Sequence, residues 1–190
     1  MSAILSTSMT VLTKPSTQSF EAVKNKVSTN GTLIAIAIAG AISGFLGKVL
    51  SGDVGAMVVN LILGAIFGAI FGVIGYYIGQ AILWIFAKLF GGKGNLTLQA
   101  NLLATFVAPL TVVTSILGLI PAVGWILNFL VWLYELVLLT FGLQVAHDYT
   151  RGKAVLTWLV PLIILLILLL ILFLILGVAL LSLIGVSSTP

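Results

Sequence analysis

Residues 162–181 read LIILLILLLILFLILGVALL: twenty consecutive positions without a charge. At 1.5 Å per residue this stretch makes a helix of roughly 30 Å, the thickness of a bilayer's hydrocarbon core. It has no polar face to turn toward water, so lipid is its solvent. The rest of the chain has the same character. Of its 190 residues 61% are hydrophobic and 6% charged, with a mean hydropathy of +1.33. A soluble domain must cover its core with polar side chains, and this chain does not hold enough of them. The fold class that follows is an all-α, polytopic integral membrane protein.

Working outward from that run, four further spans can be marked. They are about 32–50, 54–90, 96–117 and 123–146, with the Leu-rich last one extending over about 155–184. The run 54–90 would reach roughly 55 Å as one helix, so it must tilt, project from the bilayer or begin as an interfacial turn. Ser51-Gly52-Asp53, Gly91-Gly92-Lys93-Gly94-Asn95, Gly118-Leu119-Ile120-Pro121 and His147 through Lys153 are the connections. Residues 185–190 form a short C-terminal tail.

Five spans put the termini on opposite sides. With the N-terminus inside, Lys14, Lys24, Lys26, Lys88, Lys93, Arg151 and Lys153 all fall on the inner side and only Lys48 on the outer. That bias predicts a cytoplasmic N-terminus and an outside C-terminus in a cell membrane, most simply a bacterial cytoplasmic membrane. Residues 1–31 are too polar for a secretory signal and read as a cytoplasmic tail. Phe20, Val23 and Val27 share one helical face there, with Glu21, Lys24, Asn25 and Lys26 on the other. This predicts a short amphipathic helix lying on the membrane surface. Position 2 is Ser2 and the chain ends Ser187-Ser188-Thr189-Pro190, so no lipidation pattern is present.

Glycines mark the packing seams. Gly64, Gly68, Gly72, Gly75 and Gly79 line one stripe of the second span, and Gly40, Gly44 and Gly47 line the first. Helices in lipid associate through close contact at small residues, so these two spans are expected to pair as a hairpin. A seam between two copies of the chain, or a hinge, would use the same stripe. The wall from Leu162 to Leu176 has no such stripe and is expected to face lipid or a partner.

Glu135 is the one acid deep inside a span, with Asn128 and Gly142 seven residues to either side on the same face. An ionisable group at that depth suggests proton or cation handling, or a carboxyl hydrogen-bonded to a neighbour. Asn101 and Thr105 on the third span, and Asn60 or Gln80 on the second, are the candidate neighbours. His147 is the only imidazole. Beside Asp148 at the end of the fourth span, it reads as a helix-end group or, with Arg151 and Lys153, a contact for lipid head groups. Axial ligation of a porphyrin or chlorin is a further chemical option.

A lone histidine with no cysteine offers no metal set, and no cofactor is implied. No nucleophile has a base placed beside it, and Gly91-Gly92-Lys93-Gly94 lacks phosphate-loop spacing, so no enzyme activity is expected. The scattered basic residues form no patch for nucleic acid. Trp84, Trp125, Trp132 and Trp158 lie mostly near span ends, like an aromatic belt.

Several of these features occur together in one known family. Leu89-Phe90-Gly91-Gly92-Lys93-Gly94 is followed by Pro109 within a helix, then by Gly118 to Pro121, Leu133-Tyr134, Gly142, His147 through Ala154, and Pro161. Pro15-Ser16 with Phe20 precede them. In this order they resemble the Yip (Ypt-interacting protein) domain family of five-span membrane proteins, in a short bacterial-type form. The resemblance implies five spans and an inward N-terminus. Eukaryotic members bind Rab-type GTPases, but their acidic Leu-Tyr-Gly-Pro-type motif has no counterpart here, and only Phe106 approximates the aromatic before the third-helix proline. GTPase binding is therefore not carried over. The expectation is a non-enzymatic scaffold, membrane organiser or accessory subunit, with membrane lipids and other proteins or further copies of itself as partners. A small transporter or channel built on Glu135, Asn128, Asn101 and Thr105 is the alternative. A pigment- or quinone-contacting subunit is a second one.

Overall fold

The computed structural model describes residues 2–49 and 57–183, with side chains from residues 4–49 and 58–178. Among these residues all regular structure is helical. Two short helices, α1 (Ser2–Thr13) and α2 (Thr17–Lys24), precede five long ones: α3 (Thr29–Val49), α4 (Met57–Leu89), α5 (Leu96–Leu117), α6 (Gly124–His147) and α7 (Arg151–Leu183). The five long helices each carry a stretch apolar and long enough to cross a membrane. α3 sits between α4 and α5, α6 packs on α5, and α7 leans on α4 and α6.

The helix limits follow local chemistry. Asn95 caps α5 by accepting the Leu98 N–H at 2.7 Å, and Ser16 caps α2 by accepting the Ser19 N–H at 3.2 Å. α6 stops at Asp148, which adopts a left-handed backbone (φ 51°). α7 starts four residues earlier than the apolar pattern suggests, so Arg151, Gly152 and Lys153 form its first turn rather than a loop. The Ser51-Gly52-Asp53 turn, the first three residues of the run at 54, and the tail at 185–190 lie outside the described residues.

α3 and α4 pack backbone to backbone. A Cβ placed on Gly40 would collide with the Gly68 carbonyl, one on Gly44 with the Gly64 carbonyl, and one on Gly64 would stand 2.6 Å from the Gly44 oxygen. Gly72 closes the row, with its Cβ position 3.2 Å from the Gly40 Cα. The stripe is shorter than its sequence spacing suggests. Gly47, Gly75 and Gly79 have nothing within 4 Å of their Cβ positions. Gly75 and Gly79 open instead onto a cleft between α4 and α7 lined by Trp158 and Pro161.

Residues 2–27 depart most from the sequence expectation. They form a helical hairpin, where a polar tail with one surface helix was expected. α1 enters beside the start of α3, where Ile4 lies against Gly31, and runs inward along α5. Deep in the bundle the Tyr134 hydroxyl donates to the Leu12 carbonyl. α2 then returns along α6. Phe20 meets Phe106 edge-on at 6.2 Å between ring centroids, and Lys24 Nζ reaches the Val145 carbonyl at 3.4 Å. Val11, Phe20 and Val23 are fully enclosed in the core with Leu102, Leu103, Phe106, Leu138 and Leu143. The amphipathic pattern of α2 is real, but its apolar face meets protein. The space for it is made by Gly142, where any side chain would strike Leu103 and crowd Phe20.

Candidate functional site

At the end of the bundle where α4 joins α5 and α6 joins α7, three helices share a buried polar chain. His147 Nε2 lies 2.8 Å from Gln99 Oε1, and Gln99 Nε2 donates to both Gln80 Oε1 (2.8 Å) and the Gln80 carbonyl (3.0 Å). Gln99 and His147 are wholly enclosed and Gln80 nearly so. With the Gln99 nitrogen committed to Gln80, its oxygen must accept, which assigns the imidazole proton to Nε2. Nδ1 is left as a buried acceptor with no partner among the described residues. It sits under the glycine connection, 2.7 Å from the Cβ position of Gly92 and 3.1 Å from that of Gly94.

The connection is built to fit over this ring. Gly91 takes a left-handed backbone (φ 84°), which a side chain would resist. The Gly92 N–H donates to the Ala87 carbonyl at 2.8 Å and the Lys93 N–H to the His147 carbonyl at 3.0 Å. A Cβ on Gly94 would overlap the Ala146 carbonyl. So His147 does not reach lipid head groups, as its place at a span end suggests; the glycine turn closes over it. Its Nε2 is already bonded and its Nδ1 is roofed, which leaves no open face for a macrocycle.

Cations surround this buried centre. Lys93 pairs with Asp148 at 3.2 Å, with both side chains largely exposed. Lys88 Nζ donates to the Gly92 carbonyl at 3.1 Å and stands 5.8 Å above the Trp84 ring. Arg151 lies 5.3 Å over the Phe141 ring and is exposed, as is Lys153. Tyr149 stacks obliquely on His147 at 5.5 Å and bonds Thr157 at 2.9 Å. Burial pushes its phenol pKa up, with the Thr157 hydrogen bond opposing, so it stays protonated and uncharged through the neutral range. The arrangement clamps α4, α5 and α6 together and presents positive charge outward. Among the described residues no three His, Asp or Glu groups come together to hold a metal.

The polar set expected around Glu135 is not assembled. Glu135 is half-buried on α6 and has no hydrogen bond or ion pair among the described residues. The Asn128 oxygen is buried and unpartnered. Asn101 and Thr105 instead face α1 and α3. Asn101 Nδ2 reaches Thr29 Oγ1 at 3.4 Å, Thr105 donates to the Leu102 carbonyl at 2.6 Å, and both line a small pocket of about 60 Å³ with Thr7 and Thr32. Gln80 is taken by Gln99. Sequence reading did not single out Gln99. The available signal was two amides, Gln80 and Gln99, in the facing ends of successive apolar spans joined by the glycine turn.

No curated protein and no solved structure matches the chain. The model of the Yip1 domain matches residues 9–174, from within α1 through most of α7. That range takes in the tip and second helix of the N-terminal hairpin, the glycine turn over His147, α3 to α6 entire and most of α7. The chain is a multi-pass membrane protein and belongs to the Yip1 domain family.

Proposed function

We propose that the protein is a non-enzymatic membrane scaffold that holds or organises a larger assembly through lateral helix contacts. The observation that carries this reading is where the apolar surface lies. Buried polar groups are spent on internal clamps such as Gln80–Gln99–His147. Meanwhile α7 beyond Pro161 exposes every large side chain from Ile163 to Leu176, including Phe173 at 73%. Every side of that segment is left to lipid or to another protein. The charge bias fits an orientation in a bacterial cytoplasmic membrane with the glycine turn and His147 on the cytoplasmic side.

The test is native purification from the protein's own membrane in mild detergent, with particle mass and co-eluting proteins identified. A stoichiometric complex is expected. A monomer holding only lipid would sink the reading. A transporter built on Glu135 is the second reading, favoured by the unpartnered carboxyl; it requires Glu135→Gln to abolish flux while leaving assembly intact.

A further inference from the structure

We propose that Lys14, at the tip of the N-terminal hairpin, is the counter-ion of Glu135 within the membrane. Three contacts set the register of the hairpin on α6: Lys24 at Val145, Phe20 at Gly142, and Leu12 at Tyr134. α2 therefore runs parallel to α6, and the Lys14-Pro15-Ser16 turn comes level with the helical turn that carries Glu135. Glu135 lies seven residues before Gly142, on the stripe that faces Phe20, with buried Leu138 between them.

Depth makes the pairing necessary. Tyr134 is thirteen residues from the end of α6 at His147, roughly 20 Å along the helix and past the middle of a 30 Å hydrocarbon core. The Lys14 backbone carbonyl is held by Ser19 and Ser16, and its side chain is exposed with no partner among the described residues. A lone ammonium at this level faces lipid, and its four-carbon stem is too short to snorkel back to the interface. A lone carboxylate at the same level has the mirror problem. Lys14 and Glu135 are not bonded in the structure as it stands. The pairing asks the exposed lysine stem to turn toward α6 about its free torsions. The pair pins the hairpin and neutralises Glu135, whichever functional reading holds.

The experiment uses the full chain in proteoliposomes. Lys14→Met and Glu135→Gln are each expected to lower the melting temperature by roughly 6–12 °C, because each leaves a charge unpaired at membrane depth. The double variant is expected to recover most of that loss. Additive losses would overturn the pairing. The chain has no cysteine, so single Lys14→Cys and Lys26→Cys variants give a second readout that does not depend on melting. A membrane-impermeant maleimide added to both faces is expected to label Lys26→Cys at least ten times faster than Lys14→Cys. Equal labelling would place the tip in water and also overturn the proposal.

Discussion

Gly40 and Gly68 occlude each other: the carbonyl oxygen of each occupies the place where a Cβ on the other would project. Contact of this kind brings two helix backbones as close as they can come, and in lipid that closeness is the main source of attraction between α3 and α4.

Gly68→Leu is therefore expected to break the α3–α4 seam, costing at least about 1–3 kcal/mol through overpacking against main chain that cannot yield. Gly75→Ala, on the same helix but with nothing within 4 Å, is expected to leave stability unchanged. Thermal unfolding of both variants in one detergent checks the contrast. Equal losses would mean the seam runs further along α4 than the described contacts.

Gln99→Leu removes the centre of the buried polar chain and leaves the His147 Nε2–H and the Gln80 amide oxygen without partners. The expected loss is about 1–3 kcal/mol for each group stranded. Lys93→Ala, which breaks only the exposed pair with Asp148, is expected to cost no more than about 1 kcal/mol. Melting curves that rank the two in the opposite order would show that the exposed pair, and not the buried chain, secures this end of the bundle.

Gly94→Ala is expected to force the glycine turn off His147, because the new methyl falls on the Ala146 carbonyl. Gly152→Ala, in open space inside the first turn of α7, is expected to be neutral or to gain up to about 1 kcal/mol from helix propensity. Hydrogen exchange at the Lys93 amide, which bonds to the His147 carbonyl, reports the first of these directly. Unchanged protection in Gly94→Ala would mean the turn tolerates the methyl.

Tyr134→Phe removes the hydrogen bond to the Leu12 carbonyl while keeping the ring. The expected cost is about 0.5–1.5 kcal/mol, felt in the hairpin and not in the five long helices. Faster protease cleavage between α1 and α2, with the remaining fragment still folded, is the result to look for. A uniform loss across the bundle would show that the hairpin and the spans unfold as one unit.

The five spans were legible because lipid acts on composition: a run such as Leu162–Leu181 has one possible solvent, and helix is the structure that satisfies its backbone there. Glycine spacing pointed to the α3–α4 pair for the same reason, since small residues in lipid mark close approach. It did not show which glycines make the contact, because Gly47, Gly75 and Gly79 continue the spacing but meet nothing within 4 Å of their Cβ positions.

The sequence by itself determined the fold class, the number of spans, the family likeness and the two residues, Glu135 and His147, whose chemistry calls for a partner. Only the tertiary structure decided the partner of His147 and where the N-terminal hairpin lies along α6. Gln99 caps His147 from another helix, and the hairpin that brings Lys14 level with Glu135 is held by a glycine, Gly142, more than one hundred residues away. Periodicity records which face of a helix is apolar. Whether that face meets lipid or protein depends on where distant segments cross, and that is set by the packing of the whole bundle.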